Sequence, residues 1–403
     1  MSRIKVLHLT KYHSPFNGGI ENFLRVILQC NAIKKDCETR VIAHHHQRGI
    51  PTSHSTVDGV PVTRVKLWRQ VLYAPICLNL PGEMNRILAD FKPDVLHIHM
   101  PNLSAFICLF SGEARRSRWI LHWHSDVLGG APDWRVKLLY PAYRLFEKWL
   151  LSKAHTIICT SPHYLDTSQP LLKFRYKCVV IPLGISCDGN NPSPPRQIDN
   201  VTQTSDRSPA QRNEQLNNSQ HLNLLCVGRL TYYKGHAVLL DAIAELTHVH
   251  LDIVGEGEER AVLESKIASL GLSSRVTLHG QVSDATLTAH MLNTDLLCLP
   301  SVERTEAFGL VILEAARCKK PALVTDVKGS GMSWVVQDGK TGWVVPAGDV
   351  AAMRESLEEI QRNKPMIGDL GKAAHERLNT HFRAEAVSDQ IVTMYRHTVS
   401  QMA

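Results

Sequence analysis

The amino-acid sequence predicts an α/β protein of two domains, each built around a parallel β-sheet. Short apolar runs typical of buried strands alternate with helical stretches over 5–181, and the same alternation returns over 222–345. A polar stretch separates these two halves. The chain has 403 residues, of which 44% are hydrophobic, and this suffices for two cores of ordinary size.

The first half contains seven predicted strands and three predicted helices. The strands are Lys5–Thr10, Thr39–Ala43, Val62–Val65, Val95–His99, Trp119–His124, Thr156–Thr160 and Cys178–Ile181. The helices are Ile20–Gln29, Asn79–Asp90 and Trp134–Leu151. Strands separated by helices form parallel sheets, which bind ligands at the carboxyl ends of their strands. We therefore predict a first domain over 1–186.

The second half repeats this pattern after a polar interruption. Residues 187–221 are rich in Asn, Gln, Ser, Pro and Asp, so this segment is predicted to be a linker or solvated insertion with a composition typical of disorder. The strands that follow are Leu222–Val227, His250–Val254, Val276–Gly280, Leu296–Pro300, Ala322–Thr325 and Gly342–Val345. They predict a second domain over 222–379, and a final helix is predicted at Ala384–Met402.

Charge distribution and cysteine content indicate in which cellular compartment the protein works. Residues 1–185 contain 24 Lys and Arg against 12 Asp and Glu, a net charge of +12, whereas the remainder has a net charge of −5. This asymmetry predicts that the first half meets a polyanionic surface. Ten cysteines without a C-x-x-C pair favour a reducing compartment. The N-terminal residues are those of a strand, and no apolar run reaches the roughly 20 residues of a membrane span. We expect a cytoplasmic or peripheral protein.

Two carboxylates, Glu306 and Glu314, flank an apolar run that begins at a Phe308-Gly309 turn after a predicted strand. The free N–H groups at a helix start can hold an anion. Eight helical residues rise about 12 Å and turn the second Glu by only ~80° from the first. The pair could therefore address two hydroxyl-bearing parts of one extended ligand. A polar turn before a buried helix with one exposed Glu explains the same pattern.

A second motif follows the strand that ends near Gly228. Its loop carries Arg229 and Lys234 before a helix begins near His236. The planar donor fork of Arg and the point charge of Lys together suit a diphosphate, although two loop cations are often only solvated. The presence of both motifs, each at a strand-to-helix turn, favours a ligand site.

Four motifs of the second half carry a family resemblance: Gly228-Arg229 with Lys234-Gly235, Val254-Gly255-Glu256-Gly257, Glu306-Ala307-Phe308-Gly309 with Glu314, and Thr341-Gly342. Together they resemble the retaining glycosyltransferases of family 4. This resemblance extends over nearly the whole chain and is looser in the first half. It implies a GT-B fold, in which two Rossmann-like domains face each other across an interdomain cleft. The first domain would bind the acceptor and be completed by the helix at about 380–403, and the second would bind a nucleotide sugar.

The resemblance also implies roles for residues of the second half. Glu306 would bind hydroxyls of the reacting sugar, together with the backbone of Ala307, Phe308, Gly309 and Leu310. Glu314 would bind the ribose. Arg229 and Lys234 would stabilise the departing nucleoside diphosphate, which is electrostatic stabilisation of charge that develops on a leaving group.

In the first half, the paired glycines Gly18 and Gly19 follow the first strand and precede a helix. Paired glycines let a backbone approach a ligand closely, although a plain strand-to-helix turn would explain them equally well. The resemblance places this loop beside the donor phosphates and the acceptor. It also places a histidine beside the transferred sugar, and His124 fits that position better than His122. We interpret His124 as a hydrogen-bond partner of the sugar.

Neither a catalytic metal nor an organic cofactor is expected. No Asp-x-Asp triplet occurs in the sequence. The run His44–His46 is placed just after the second strand, where adjacent side chains diverge, so we do not predict a zinc site there. His97 and His99 alternate on a strand, and whether they line the cleft stays open. A dinucleotide enzyme is disfavoured because the nearest G-x-G-x-x-G match, at Gly255, lacks its third glycine.

The predicted reaction is hexose transfer from a nucleoside-diphosphate sugar to a glycan or polyprenyl-linked acceptor. The motif around Arg304 and the run Gly329–Ser333 look most like bacterial enzymes of O-antigen and exopolysaccharide assembly, which favours GDP-mannose over UDP-glucose or UDP-N-acetylglucosamine. The alternatives are a nucleotide-sugar epimerase and a non-catalytic binder of the same fold. No nucleic-acid partner is expected.

The basic and aromatic segment 134–153 predicts docking of the first domain on the inner face of the cytoplasmic membrane. Lipid headgroups that carry negative charge would attract its cations. The alternative is an ordinary helix with core aromatics and solvated cations, whose periodicity Pro141 interrupts.

Overall fold

The computed structural model describes residues 3–16, 18–71, 74–127, 134–187 and 221–401. The chain divides into two compact units, Met1–Asn191 together with Arg383–Ala403, and Pro192–Phe382. The predicted linker at 187–221 lies almost entirely outside the described residues.

The described residues form sixteen strands. In chain order they are β1 Ile4–Leu9, β2 Cys37–Arg48, β3 Ser53–Val57, β4 Val60–Leu67, β5 Arg69–Val71, β6 Ala74–Ile76, β7 Val95–Met100, β8 Arg118–Trp123, β9 Thr156–Cys159, β10 Cys178–Val180, β11 Leu222–Val227, β12 Val249–Val254, β13 Val276–Gly280, β14 Leu296–Leu299, β15 Ala322–Thr325 and β16 Gly342–Val345.

Thirteen α-helices are described along with these strands. They are α1 Gly19–Gln29, α2 Asn31–Asp36, α3 Leu80–Phe91, α4 Trp134–Lys153, α5 Pro162–Thr167, α6 His236–Ile243, α7 Arg260–Ser269, α8 Asp284–Asn293, α9 Leu310–Arg317, α10 Met332–Val335, α11 Val350–Arg362, α12 Met366–Arg377 and α13 Ala384–Ser400. Short 3₁₀ segments include Leu103–Phe110 and Tyr232–Lys234. No described helix combines the length and apolar composition that a bilayer crossing requires.

The first unit contains an eight-stranded sheet in the order β10-β9-β8-β7-β1-β2-β4-β3. The strand order reverses between β1 and β7. The sheet is parallel as predicted, except that β3, a strand that was not predicted, pairs antiparallel with β4 at its edge. The strand β3 was missed because its sequence, Ser-His-Ser-Thr-Val, is polar and largely exposed.

The second unit has a six-stranded sheet in the order β13-β12-β11-β14-β15-β16, and every pairing is parallel. Numbered from its first strand, this is the order 3-2-1-4-5-6 of a dinucleotide-binding sheet. In such sheets the ligand binds beyond the carboxyl ends of the strands where the order reverses. That position lies between β11 and β14, the two strands that precede the Arg229 loop and the Glu306 turn.

The helix α13 follows the second unit in sequence but packs on the first. Ala384 N donates a hydrogen bond to the carbonyl oxygen of Ile185, with an N–O distance of 2.9 Å. Val387, Ile391 and Tyr395 of α13 are buried, and the helix packs against α1 and α2. The first unit therefore takes its core from two distant parts of the sequence.

One local prediction was wrong. The strand β2 continues to Arg48, so His44, His45 and His46 lie inside it, where they were predicted just after it. The helix predicted at Trp134–Leu151 is confirmed, since α4 extends over Trp134–Lys153 with Pro141 inside it. All ten cysteines are free thiols.

Candidate functional site

The loop after β11 and the turn after β14 are held together by their backbones. Gly235 caps the start of α6 in the left-handed conformation, at φ 69°. A Cβ on Gly235 would lie 1.9 Å from the carbonyl oxygen of Pro300, which directly follows β14. Val302 N also donates to the carbonyl oxygen of Tyr233 at 2.8 Å. The two predicted motifs of the second half therefore meet at the reversal of the strand order.

Replacing Gly235 with alanine should destabilise the second unit by about 3 kcal/mol or more. A left-handed conformation costs an L-residue roughly 1–2 kcal/mol, and here the clash with Pro300 adds to that cost. Gly271 is a matched control, because its φ is 68° and nothing lies within 4 Å of its Cβ position. Urea unfolding should show only the conformational cost for Gly271→Ala. Equal losses in the two variants would mean that the loops separate readily.

Lys234 and Glu306 form an ion pair between these loops. Only 12% of the Lys234 side chain and 13% of the Glu306 side chain are exposed. Burial would lower the pKa of Lys234, but the charge and hydrogen bond of Glu306 outweigh it, so that the pKa rises. The alternative that Lys234 is only a solvated loop cation does not hold, because its side chain turns inward to this carboxylate.

Arg229 does not join this ion pair. Its guanidinium contacts Glu258, with an Nη2–Oε2 distance of 3.1 Å, and more than half of each side chain is exposed. The two predicted cations of the loop thus differ in burial and in how firmly they are held. Lys234 is fixed, whereas Arg229 is held only by a solvent-exposed pair, which contributes little energy.

Backbone contacts fix the turn that carries Glu306. Glu306 N donates to the carbonyl oxygen of Glu303 at 3.1 Å, and Gly331 N donates to that of Ala307 at 2.7 Å. The Ser330 hydroxyl donates to the carbonyl oxygen of Glu306. Gly309 then starts α9 at φ 77°. The loop after β15, at 326–331, therefore holds the turn in place through these hydrogen bonds to its carbonyl oxygens.

The remaining predicted residues of the second half lie in the same turn and helix. Ala307 and Phe308 are buried, and the Phe308 ring packs edge-on against Trp334 and Phe382. Leu310 and Glu314 are half-buried on α9. The side chains of Ala307 and Phe308 are thus occupied by packing within the second unit.

Tyr232 and Glu303 are two neighbours that sequence reasoning missed. The Tyr232 hydroxyl donates to Glu303 Oε2 at 2.7 Å. Burial, together with this hydrogen bond and the Glu303 charge, raises the pKa of Tyr232 to about 12. Tyr232 stands inside the Arg229–Gly235 motif, but its partner lies 71 positions away, so the sequence alone could not pair them.

In the first unit, Gly18 and Gly19 lie at the start of α1 as predicted, with Gly18 as its cap. A Cβ on Gly18 would come within 2.3 Å of Glu21 Oε2, so the Glu21 carboxylate folds back over this glycine. Glu21 is buried, and burial raises its pKa to about 7 in spite of its own backbone N–H and Lys11. Glu21 is the residue of this loop that sequence reasoning missed.

His124 belongs to a row of five buried histidines on one face of the first sheet, which we call the histidine ladder. Its members are His8, His97, His99, His122 and His124. His124 Nε2 lies 3.0 Å from His99 Nδ1, and His8 Nδ1 lies 3.2 Å from His99 Nε2. The ladder ends at Tyr395 of α13, whose hydroxyl bonds His97 Nδ1.

Burial keeps the ladder uncharged. It lowers the pKa of all five histidines, that of His124 to about 3, and neighbouring rings lower those of the other four further. His124 Nδ1 is buried with no hydrogen-bond partner among the described residues. The arrangement leaves His124 as a neutral donor or acceptor. His97 and His99 are fully enclosed in the ladder.

Other histidines have separate settings. His44 Nε2 lies 2.8 Å from the Ser104 hydroxyl, and His45 Nε2 lies 3.1 Å from the Ser53 hydroxyl. Among the described residues, three groups have potential metal-ligating atoms within 4.8 Å of one another. Two of these groups belong to the ladder. The third consists of Asp252, His279 and His290.

Comparison with known families gives two matches in sequence. Residues 18–184 match the Glycosyl transferase 4-like domain, and residues 207–377 match Glycosyl transferases group 1. The O-antigen chain mannosyltransferase C of Escherichia coli is 28% identical over 397 residues, covering 97% of this chain and 98% of that protein. The D-rhamnosyltransferase WbpZ of Pseudomonas aeruginosa is 29% identical over 389 residues, covering 94% of this chain and 93% of that protein.

Comparison with solved structures supports the fold. The sucrose-phosphate synthase of Thermosynechococcus elongatus has a TM-score of 0.75 at 20% identity, covering 99% of this chain and 100% of that chain. With the parallel-sheet units described above, this likeness confirms the predicted GT-B fold class.

Proposed function

Because the two halves of this chain carry a glycosyl transferase 4-like domain and a glycosyl transferases group 1 domain, we propose that it is a retaining hexosyltransferase that uses a nucleoside-diphosphate sugar. The observation that carries this proposal is the Lys234–Glu306 ion pair at the reversal of the second sheet. A sheet of this order binds nucleotides there.

The pair supplies a cation for the diphosphate and a hydrogen-bond acceptor for the sugar of a nucleotide sugar. The Lys234 ammonium stabilises the diphosphate as negative charge develops on it, and it needs no metal for this. Glu306 accepts hydrogen bonds from hydroxyls of the transferred sugar, and in the absence of donor it keeps Lys234 in place. Arg229 exchanges its exposed contact with Glu258 for the diphosphate. Glu314, on α9, binds the ribose.

The donor sugar proposed here has the manno configuration. Two relatives that match nearly the whole chain are named for transfer of mannose and of D-rhamnose, which is 6-deoxymannose. GDP-mannose is therefore the preferred donor, and a glycan or polyprenyl-linked saccharide of cell-surface polysaccharide assembly is the preferred acceptor. His124, Gly18 and Gly19 are proposed to serve the same reaction from the first unit.

Release of nucleoside diphosphate tests this function. The enzyme is incubated with GDP-mannose, UDP-glucose or UDP-N-acetylglucosamine, each with and without a polyprenyl-diphosphate-linked saccharide. Release of GDP that depends on the acceptor, a product with the donor's anomeric configuration, and full activity in EDTA are expected. Sugar interconversion without acceptor would indicate an epimerase, and binding without either reaction a non-catalytic binder. Loss in EDTA that magnesium or manganese restores would contradict the metal-independent mechanism.

Replacing Glu314 with alanine should raise the KM for the donor about tenfold and leave kcat nearly unchanged. The proposed ribose contact exists in both the ground and transition states, so its removal weakens binding uniformly. Glu359→Ala, which changes an exposed carboxylate on α11, is the control and should alter neither constant. A fall in kcat at constant KM would reassign Glu314 to the reacting sugar.

We also propose that the first unit docks on an anionic membrane through α4 and the 3₁₀ segment Leu103–Phe110. Large apolar side chains protrude there: Leu138 is 68% exposed, Leu145 71% and Phe110 65%. The exposed cations Lys137 and Lys148 accompany them on α4. Apolar side chains beside cations suit an anionic lipid interface, where each cation near the surface contributes about 1 kcal/mol.

The triple variant Leu138→Ser, Leu145→Ser, Phe110→Ser should bind anionic liposomes at least tenfold more weakly than the unmodified protein. Lys137→Ser with Lys148→Ser should weaken binding and reduce its dependence on salt. Leu292→Ser is the matched control, because Leu292 of α8 is also exposed, at 57%. Co-sedimentation measures all of these. Equal binding to neutral vesicles, or none to either kind, would refute the membrane proposal.

A further inference from the structure

A cluster of two histidines and one aspartate connects three elements of the second unit. Asp252 lies in β12, His279 in the edge strand β13 and His290 in α8. None of these elements carries a residue of the proposed donor site. The flanking residues Leu251 and Ile253 point into the apolar core, so Asp252 faces the opposite side of the sheet.

The three side chains converge. His279 Nε2 lies 2.7 Å from Asp252 Oδ1, and His290 Nδ1 lies 3.7 Å from Asp252 Oδ2. The two imidazole centroids are 4.4 Å apart. Exposed fractions are 32% for the Asp252 side chain, 21% for His279 and 8% for His290. The cluster is thus enclosed on the side of α8, while its carboxylate stays accessible from solvent.

Only 32% of the Asp252 side chain is exposed, and a partly buried carboxylate needs hydrogen-bonding partners. The direct neighbour of Asp252 in β11 is the buried Leu225. Burial raises the pKa of Asp252, but the hydrogen bonds and charges of His279 and His290 outweigh it and hold the pKa well below its ordinary value. The carboxylate is therefore ionised.

We propose that Asp252, His279 and His290 bind a divalent transition-metal ion, and that Zn²⁺ fits this site best. Two imidazole nitrogens and one carboxylate oxygen are ligands that zinc accepts, with solvent at the remaining position. The ion ties the edge strand β13 and the helix α8 to β12 and thereby stabilises this edge of the sheet. The site is independent of the proposed transfer reaction.

Cobalt titration of the full-length protein, with its thiols kept reduced, tests the site. One equivalent of Co²⁺ should produce the visible bands of a tetrahedral nitrogen and oxygen site, and Zn²⁺ should displace it. His290→Gln and Asp252→Asn should each weaken Co²⁺ binding by about 100-fold or more, because even outer partners of metal ligands contribute 10- to 100-fold. His163→Gln, at an exposed histidine of the first unit, should bind Co²⁺ normally.

Thermal unfolding provides a second readout. Zn²⁺ should raise the Tm of the unmodified protein and leave that of His279→Gln unchanged, since only a native-state ligand stabilises. EDTA should lower Tm without lowering transfer activity assayed well below Tm. Unchanged Co²⁺ affinity in all three variants, or an intense near-ultraviolet thiolate band, would assign the metal elsewhere and overturn the proposal. Absence of Co²⁺ and Zn²⁺ binding would leave the cluster as an ion-paired triad and also overturn it.

Discussion

Glu306→Ala should lower kcat by about 100- to 1,000-fold, the range seen when one group that stabilises transition-state charge is removed. The same change leaves the Lys234 ammonium, only 12% exposed, without its counter-charge. Breaking such a pair costs about 3 kcal/mol of unfolding free energy. Steady-state kinetics and urea unfolding of one preparation measure both effects. Glu264→Ala, at an exposed carboxylate of α7, is the control that should change neither.

A double variant separates the catalytic effect from the structural one. Lys234→Met with Glu306→Leu replaces the pair by apolar side chains, which often restores stability. We expect stability to recover and activity to remain low. Recovery of activity together with stability would show that the pair is structural, and full activity of Glu306→Ala alone would remove Glu306 from the site.

Acidification should unfold the first unit before the second, between about pH 6 and 5. The ladder histidines are neutral in the folded protein because their pKa values are lowered, that of His124 to about 3. In the unfolded chain they take up protons below about 6.5. Stability is thus complete above pH 6.5 and falls as the pH decreases, by up to ~1.4 kcal/mol per pH unit for each histidine. Five histidines together approach the whole stability of a domain, about 5–15 kcal/mol.

Hydrogen exchange measured by mass spectrometry locates this transition. Peptides from β7 and β8 should lose protection at a higher pH than peptides from β14 and β15. Replacing His122, which packs edge-on against Phe23, with Phe should make the pH dependence shallower. Unaltered protection of β7 between pH 7 and 5 would contradict the prediction.

The sequence predicted four of the six strands of the second unit to the residue: Leu222–Val227, Val276–Gly280, Ala322–Thr325 and Gly342–Val345. Strands covered on both faces by helices are mostly apolar runs with abrupt ends, so their limits are visible in composition. The strand β3 was invisible for the opposite reason. It is polar, and its pairing with β4 depends on the turn at Asp58-Gly59.

The sequence indicated which residues belong to the candidate site, but it did not indicate which of them contact one another. The inward turn of Lys234 depends on Glu306, 72 positions later, and on the approach of two backbones at Gly235. The histidine ladder also needed the register of three strands, because His99 pairs with His122 only once β7 lies beside β8. Spacing along one strand cannot reveal such neighbours.

Because α13 packs on the first unit, the first unit cannot complete its core until the end of the chain has been translated. Residues 3–187 emerge from the ribosome long before the helix α13, which covers α1 and α2. The inner faces of α1 and α2 therefore stay uncovered while roughly two hundred further residues are made. The second unit, whose strands are contiguous over 222–345, meets no such delay. During translation this apolar face of the first unit therefore stays exposed until the last helix has been made. Its apolar surface becomes fully covered only when Ile391 and Tyr395 emerge.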